Sequence, residues 1–291
     1  MIKVENSDHS TICSLLVLSC DAYSDLWLPF FRLMESYWPD CPYRQYLGTG
    51  NRSFEFSGVT TLGSSAGRDW SRCVLDYLRQ IDTEYVLVML DDFFLRSKVD
   101  TAKIEYCLAF ACRCNAQQIR LIPRPRPTTK IAGERMIGIC ESGLRYRVSA
   151  QAALWHKQAL VRLLKAGESA WEFEHNATIR SHEYPDEHYA VWKTVLPYQG
   201  FFAHHVVEKG CWLPHEKWIF ARKSIGCDFS RRKTLGWRPT IQCHLAAFAL
   251  RLISLLPASL SEKVRIKLRC FVQRLAPGLL GRLSGRSIAR R

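Results

Sequence analysis

Asp91 and Asp92 follow directly on EYVLVML at 84–90, the strongest strand-like run in the 291-residue chain. Adjacent carboxylates repel each other, so the pair is costly unless a cation or a network of donors offsets the repulsion. In open α/β sheets, ligands bind outside the carboxyl ends of the strands, which is where these two acids fall. A hard divalent ion, Mg²⁺ or Mn²⁺, bridging both acids to a diphosphate would remove the repulsion, because Mg²⁺ takes a few carboxylates together with phosphate oxygens. The same pair can also serve as a strand-end cap of the next turn. The two residues alone leave both readings open.

Other chemistries lack their usual marks. The chain contains no G-x-x-x-x-G-K-[ST], no G-x-G-x-x-G after a strand, no G-x-S-x-G and no H-E-x-x-H. ATPase, dinucleotide-dependent redox, hydrolase and zincin readings therefore lose support.

The elements that must position the acids read as alternating strands and helices. Residues 12–19 (ICSLLVLS) form a continuous apolar run, the pattern of a strand buried on both faces. Ser24 to Tyr37 carries Leu26, Phe30, Leu33, Met34 and Tyr37 at helical spacing and stops before Pro39. A short strand near Tyr43–Leu47 is followed by a Gly/Ser/Asn-rich stretch to Gly67. Trp70–Ile81 reads as a helix, Glu84–Leu90 as a strand, Asp100–Cys114 as a helix and Ile119–Ile122 as a strand. Pro123 to Pro127 must be loop, since proline lacks the donor a strand needs. Arg145–Leu154 has room for one or two strands, and helices are expected over 156–166 and 171–181. This alternation predicts an α/β fold with a mainly parallel central sheet flanked by helices.

Composition narrows the class. At 47% hydrophobic and 23% charged the chain is an ordinary folded protein. Its formal charge of +14 is uneven: residues 240–291 hold ten Lys and Arg against Glu262 alone, which leaves about +5 for residues 1–239. In that tail Leu245, Phe248, Leu252 and Leu256 share one helical face, and Val264, Leu268, Phe271, Val272 and Leu275 share another. Basic residues fill the opposite positions, the pattern of interfacial amphipathic helices. No apolar run reaches the roughly 20 residues that span a bilayer. The twelve cysteines lie largely in apolar segments, and Cys112 and Cys114 lack a second pair at zinc spacing. A reduced, cytoplasmic compartment and free thiols fit this usage.

Four segments, SCDAYSDLWLPFF at 19–31, EYVLVMLDDFFL at 84–95, SAQAALWHKQAL at 149–160 and GESAWEFE at 167–174, resemble in order and spacing a family of bacterial glycosyltransferases. That family builds capsular and lipopolysaccharide-type glycans on the GT-A, nucleotide-diphosphosugar transferase fold. The resemblance covers roughly residues 12–220, leaves the basic tail outside and implies a GT-A domain over 1–236; the tail's own pattern makes 237–291 a basic amphipathic segment expected at the inner face of the membrane. The fold's usual acidic signature is D-x-D, and this chain departs from it with Asp91-Asp92-Phe93.

The resemblance also implies roles. Cys20 and Asp21 would border the nucleotide, with Asp21 accepting from base or ribose, or else capping the helix at Ser24. Arg68, Ser71 and Arg72, near a helix N-terminus, would face the diphosphate together with Asp91, or form a solvated basic face. Asp91 and Asp92 would hold the divalent cation, with His204 or His205 as a further ligand. Glu174, with Glu172 as the alternative, would take the proton of the acceptor hydroxyl; two residues apart on a helix, they point in different directions. The implied donor is a nucleotide-diphosphate sugar and the acceptor a glycan or lipid-linked saccharide, with an anionic membrane surface as partner. A nucleotidyltransferase of the same fold is the competing enzyme reading. A nucleic-acid-binding protein is the competing non-enzyme reading, disfavoured because the charge is gathered in an amphipathic tail and no nucleic-acid module is present.

Overall fold

A computed structural model describes residues 9–183, 188–198, 205–241 and 245. The chain divides into two compact units, Met1–Pro197 and Tyr198–Arg291.

In the first unit a short helix α1 (His9–Ile12) leads into strand β1 (Cys13–Leu18), helix α2 (Ser24–Tyr37), strands β2 (Arg44–Gly48) and β3 (Val59–Leu62), helix α3 (Trp70–Arg79) and strand β4 (Tyr85–Leu90). Helix α4 (Thr101–Cys114), strands β5 (Gln118–Arg120), β6 (Thr129–Lys130), β7 (Ile137–Ile139) and β8 (Ala153–His156), helices α5 (Lys157–Leu163) and α6 (Ala170–Arg180), and strand β9 (His188–Val191) complete it. The nine strands make one sheet in the order β3-β2-β1-β4-β8-β5-β9-β7-β6.

The expectation of a mainly parallel sheet is corrected here. β1–β2, β2–β3, β1–β4 and β5–β9 pair parallel, whereas β4–β8, β5–β8, β6–β7 and β7–β9 pair antiparallel. The β3-β2-β1-β4 half has the helix-connected windings the alternation predicts. In the other half a strand was expected near β5 and strands had room over Arg145–Leu154, where β8 begins, but β8 enters antiparallel, and β6 and β7 are two- and three-residue strands that were not anticipated.

β1 is central because every one of its six residues is buried, as a strand covered on both faces requires. Leu16, Leu18, Val86, Val88 and Trp155 face one layer with Val74, Tyr77 and Leu78 of α3, Leu160 of α5 and Phe173 of α6. The alternate residues Leu15, Val17, Leu87 and Met89 are buried on the opposite face. The end of α2 is tied to the start of α4: Val99 N–H donates to Tyr37 O at 2.8 Å and Trp38 Nε1 to Thr101 Oγ1 at 2.9 Å. Each fully buried aliphatic side chain contributes about 1.5–3 kcal/mol, so the two-layer burial of β1 and β4 fixes the register on which the site depends.

The second unit, by itself, contains the hairpin β10 (Val207–Glu208) and β11 (Cys211–Trp212), with Lys209 and Gly210 at positive φ in its turn, and helix α7 (Pro214–Phe220). Most of the tail expected to be amphipathic helix lies outside the described residues. Among the described residues no helix is long and apolar enough to cross a membrane.

Candidate active site

The strand order reverses direction at a defined place. From β1 the chain winds outward to β2 and β3, then returns to lay β4 on the other side of β1. The segments leaving β1 and β4 therefore diverge at their carboxyl ends, a topological switch point where open sheets take ligands. Ser19, Cys20 and Asp21 follow β1 at this point, and Asp91 and Asp92 follow β4.

Asp91 is buried and continues the ladder, its amide donating to Leu18 O at 3.4 Å. Its Oδ2 accepts from Ser19 Oγ, which in turn accepts from Trp27 Nε1 at 2.6 Å. A relay from α2 through β1 thus orients the Asp91 carboxylate. Trp27 is held in place by Phe54, which stacks on Phe31 and Phe56. Asp92, the next residue, is half-buried. Asp91 is thus fixed by the protein, while Asp92 retains access to solvent.

Cys20 and Asp21 also reach the edge. Partial desolvation and the neighbouring Asp91 charge push the Cys20 thiol up from its ordinary value, which keeps it protonated. Asp21 is taken up by the chain itself: its carboxylate accepts from the amides of Gly50 at 3.0 Å, Asn51 at 2.9 Å and Arg52 at 3.3 Å. Against the upward push of desolvation, those amides hold its pKa below the usual carboxylate value. A Cβ at Gly50 would lie 2.8 Å from Asp21 Oδ2, so the loop needs glycine there. Asp21 therefore anchors the loop after β2 and does not cap α2.

The three residues expected at the diphosphate are placed differently from one another. Ser71 is buried, and both its amide (3.2 Å) and its hydroxyl (3.0 Å) donate to Glu168 O; it joins α3 to the approach of α6 instead of meeting a ligand. Asp69 caps α3 by accepting from Arg72 N–H at 3.0 Å and also accepts from Gly167 N–H at 2.8 Å. The α3 amides that would have formed an anion site thus already have acceptors within the chain. Arg68 and Arg72 are exposed, and Arg72 pairs with Asp69 at 3.8 Å.

The two candidate bases separate cleanly. Glu172 completes a capping box: its Oε2 accepts from Ser169 N–H (2.9 Å) and Ser169 Oγ (2.8 Å), and Ser169 Oγ accepts from Glu172 N–H. These bonds hold its pKa below the ordinary value and give it a structural task at the helix start. Glu174 faces the sheet edge. Its Oε1 accepts from Ser149 Oγ and from Ala150 N–H, both at 2.8 Å. The last residue pair of β4 and β8 is Val88 with Ala153. Asp91 and Asp92 lie beyond that end of β4, and Ser149 and Ala150 lie beyond the same end of β8. Glu174 is thereby held on the carboxyl edge that carries the acid pair. The α6 helix itself is fixed by a two-point pair, Arg180 Nη1 and Nη2 to the two oxygens of Glu168, each at 2.7 Å.

His204 lies outside the described residues. His205 belongs to the second unit, where its Nε2 meets Glu208 Oε2 at 3.0 Å, so that ring nitrogen already has a carboxylate partner. Among the described residues no three His, Cys, Asp or Glu side chains gather as a metal site. The available donors are the oxygens of Asp91 and Asp92. That set fits Mg²⁺ or Mn²⁺ in the manner of a site completed by substrate phosphates and water, and it does not fit an all-protein cage. Sequence reasoning missed Ser19, Trp27 and the Ser149–Ala150 step. Ser19 directly follows β1 and Ser149–Ala150 shortly precede β8, so position was a signal for these, whereas Trp27 lies within α2 and had none.

Fold and site together describe a mixed α/β protein with carboxylates at the switch point of its sheet. No family model matches the chain, and no curated protein matches its sequence. Solved structures to which it is similar include S. aureus TarS residues 1–349, at 12% identity and a TM-score of 0.42 over 91% of this chain and 88% of that one. Another is the galactosyltransferase LgtC in complex with donor and acceptor sugar analogues, at 11% identity and 0.35 over 87% of this chain and 99% of that one. A third is the bifunctional IspDF from Campylobacter jejuni, at 16% identity and 0.34 over 58% and 47%. At these scores the likeness carries no functional weight of its own.

Proposed function

We propose that the chain is a glycosyltransferase that moves a sugar from a nucleoside-diphosphate donor to a hydroxyl of a glycan or lipid-linked acceptor, with inversion, in the assembly of cell-surface polysaccharide. The observation that carries this reading is the gathering of Asp91, Asp92 and Glu174 beyond one end of the β4–β8 pair, at the switch point beside β1.

Glu174, oriented by Ser149 and Ala150, takes the proton of the acceptor hydroxyl. The acceptor oxygen then forms the new bond to the anomeric carbon, and the carbon–oxygen bond to phosphate breaks with its electron pair leaving on the diphosphate. Asp91 and Asp92 would hold a divalent cation, which would supply charge neutralisation to that leaving group. Trp171, exposed on α6 beside Glu172, is available to lie against a sugar face.

The reading is tested by thermal shift with nucleoside diphosphates and their sugars, with and without Mn²⁺, followed by product analysis. A ligand that binds only the folded state must raise its apparent stability. Donor-dependent stabilisation and release of nucleoside diphosphate are expected. Release of pyrophosphate would make the enzyme a nucleotidyltransferase, and absence of any nucleotide-dependent shift would overturn the assignment.

A further inference from the structure

The formal charge of +14 resides in one unit. Residues 1–197 hold 23 Lys and Arg and 23 Asp and Glu, whereas residues 198–291 hold 18 Lys and Arg and 4 Asp and Glu. Glu208 and Glu216, two of those four acids, are buried and lie beside His205 and His215. The described surface of the second unit is therefore strongly cationic well before the tail begins.

The same unit exposes apolar groups in a pattern. Residues 237–241 and Leu245 are helical. Trp237 and Ile241 stand four apart in the helical stretch, which puts them on one face, and they are 68% and 48% exposed; Leu245 is 62% exposed. On α7, Glu216 and Phe220 face inward, and Trp218, on the other side of the helix, is 62% exposed. The two segments are tied through Thr234: Lys217 Nζ donates to Thr234 Oγ1 at 3.3 Å, and Trp212 forms an isolated β-bridge with Thr234. Each exposed indole carries a guanidinium, Arg222 at 3.5 Å over Trp218 and Arg238 at 5.2 Å over Trp237. Arg222 is further held by a 2.8 Å bond to Trp218 O.

We infer that the second unit, beginning at α7 and not only at the tail, docks on an anionic lipid surface. Tryptophan rings and an aliphatic stripe enter the boundary between headgroups and acyl chains, and the arginines stacked on the indoles meet lipid phosphates. Charge complementarity selects this occupant: a neutral unit would have no preference, whereas each Lys or Arg near an anionic leaflet adds to the attraction. The docking rests on the second unit alone and deepens the proposed function by fixing where a lipid-linked acceptor is met.

The test uses the full chain with vesicles of phosphatidylcholine alone and with about one-third phosphatidylglycerol, scored by co-flotation and tryptophan emission across a salt series. Expected are strong binding to the anionic vesicles only, a blue shift of emission, and weakening at high salt. Ile241→Glu and Trp218→Glu should each lower partition about tenfold, with unchanged thermal unfolding. Equal binding to neutral vesicles, wild-type partition in both variants, tighter binding to an oligonucleotide than to anionic vesicles, or a lipid-free dimer dissociated by Ile241→Glu would each overturn the inference. Donor-induced thermal shift, read without vesicles, is kept separate. Its absence sinks the transferase reading and leaves the vesicle result to stand or fall by itself.

Discussion

Replacing Glu174 by glutamine isolates proton transfer from packing. The amide keeps an oxygen for Ser149 Oγ and Ala150 N–H, the two donors now at 2.8 Å, so the side chain retains its place. Hydrogen bonds to a neutral acceptor are about half as strong as those to a carboxylate, which sets the expected stability loss at about 1 kcal/mol. That corresponds to roughly 2–4 °C in Tm for a unit of this size. The chemical loss is much larger: a positioned general base contributes about 10²–10⁴ in rate, or about 3–5 kcal/mol of transition-state stabilisation. The assay is release of nucleoside diphosphate at saturating donor and acceptor, with donor binding followed separately by thermal shift. The expected result is turnover reduced at least a hundredfold with donor affinity preserved. Turnover within tenfold of wild type would remove Glu174 from the chemistry. Loss of donor binding in the variant would show that the residue shapes the donor pocket instead.

The other candidate base gives the converse result. Glu172→Ala breaks the capping box and should cost about 1 kcal/mol of stability while leaving turnover nearly intact; a hundredfold fall in rate would reverse the assignment of the two glutamates. Asp92→Asn should abolish sugar transfer without changing the unfolding temperature by more than a few degrees, since Asp92 is half-buried, and wild-type turnover in the variant would remove the cation hypothesis. Ser19→Ala deprives Trp27 Nε1 and Asp91 Oδ2 of a shared partner and should destabilise by about 2 kcal/mol, read by denaturant unfolding. An unchanged midpoint would show that the relay is not holding Asp91. His188 supplies a pH test: burial first, then the charges of Arg147 and Arg120, lower its pKa from 6.5 to about 3. The unfolded state binds the extra proton between those values, so stability is full above pH 6.5 and falls as pH drops, by up to about 1.4 kcal/mol per unit. His188→Gln should flatten the upper part of that slope, and an undiminished slope would assign the proton elsewhere.

The division between what the sequence revealed and what it concealed follows the length over which each feature is encoded. β1, α2, α3, β4 and α4 were legible because each repeats its pattern over six to fourteen residues, and α2 matched its expected bounds at both ends. β3, β6 and β7 span four, two and three residues, too few for a period to show. That is why the sheet was expected to be mainly parallel. The acid pair was legible for a related reason: hydrophobic continuity ends abruptly at Leu90, and the first polar residue after a buried strand must lie at its edge. Separating Glu172 from Glu174 required the structure, because both stand in one tetrapeptide. Only the cap at Ser169 and the turn at Ser149–Ala150, about twenty residues upstream, assign one to the helix end and the other to the strand edge. Sequence local to a motif can nominate a base, but the donor that orients it comes from another part of the chain. In this molecule that donor lies in the segment leading into β8, the strand adjoining the one that presents the acids, which is the physical ground for reading the three carboxylates as one site.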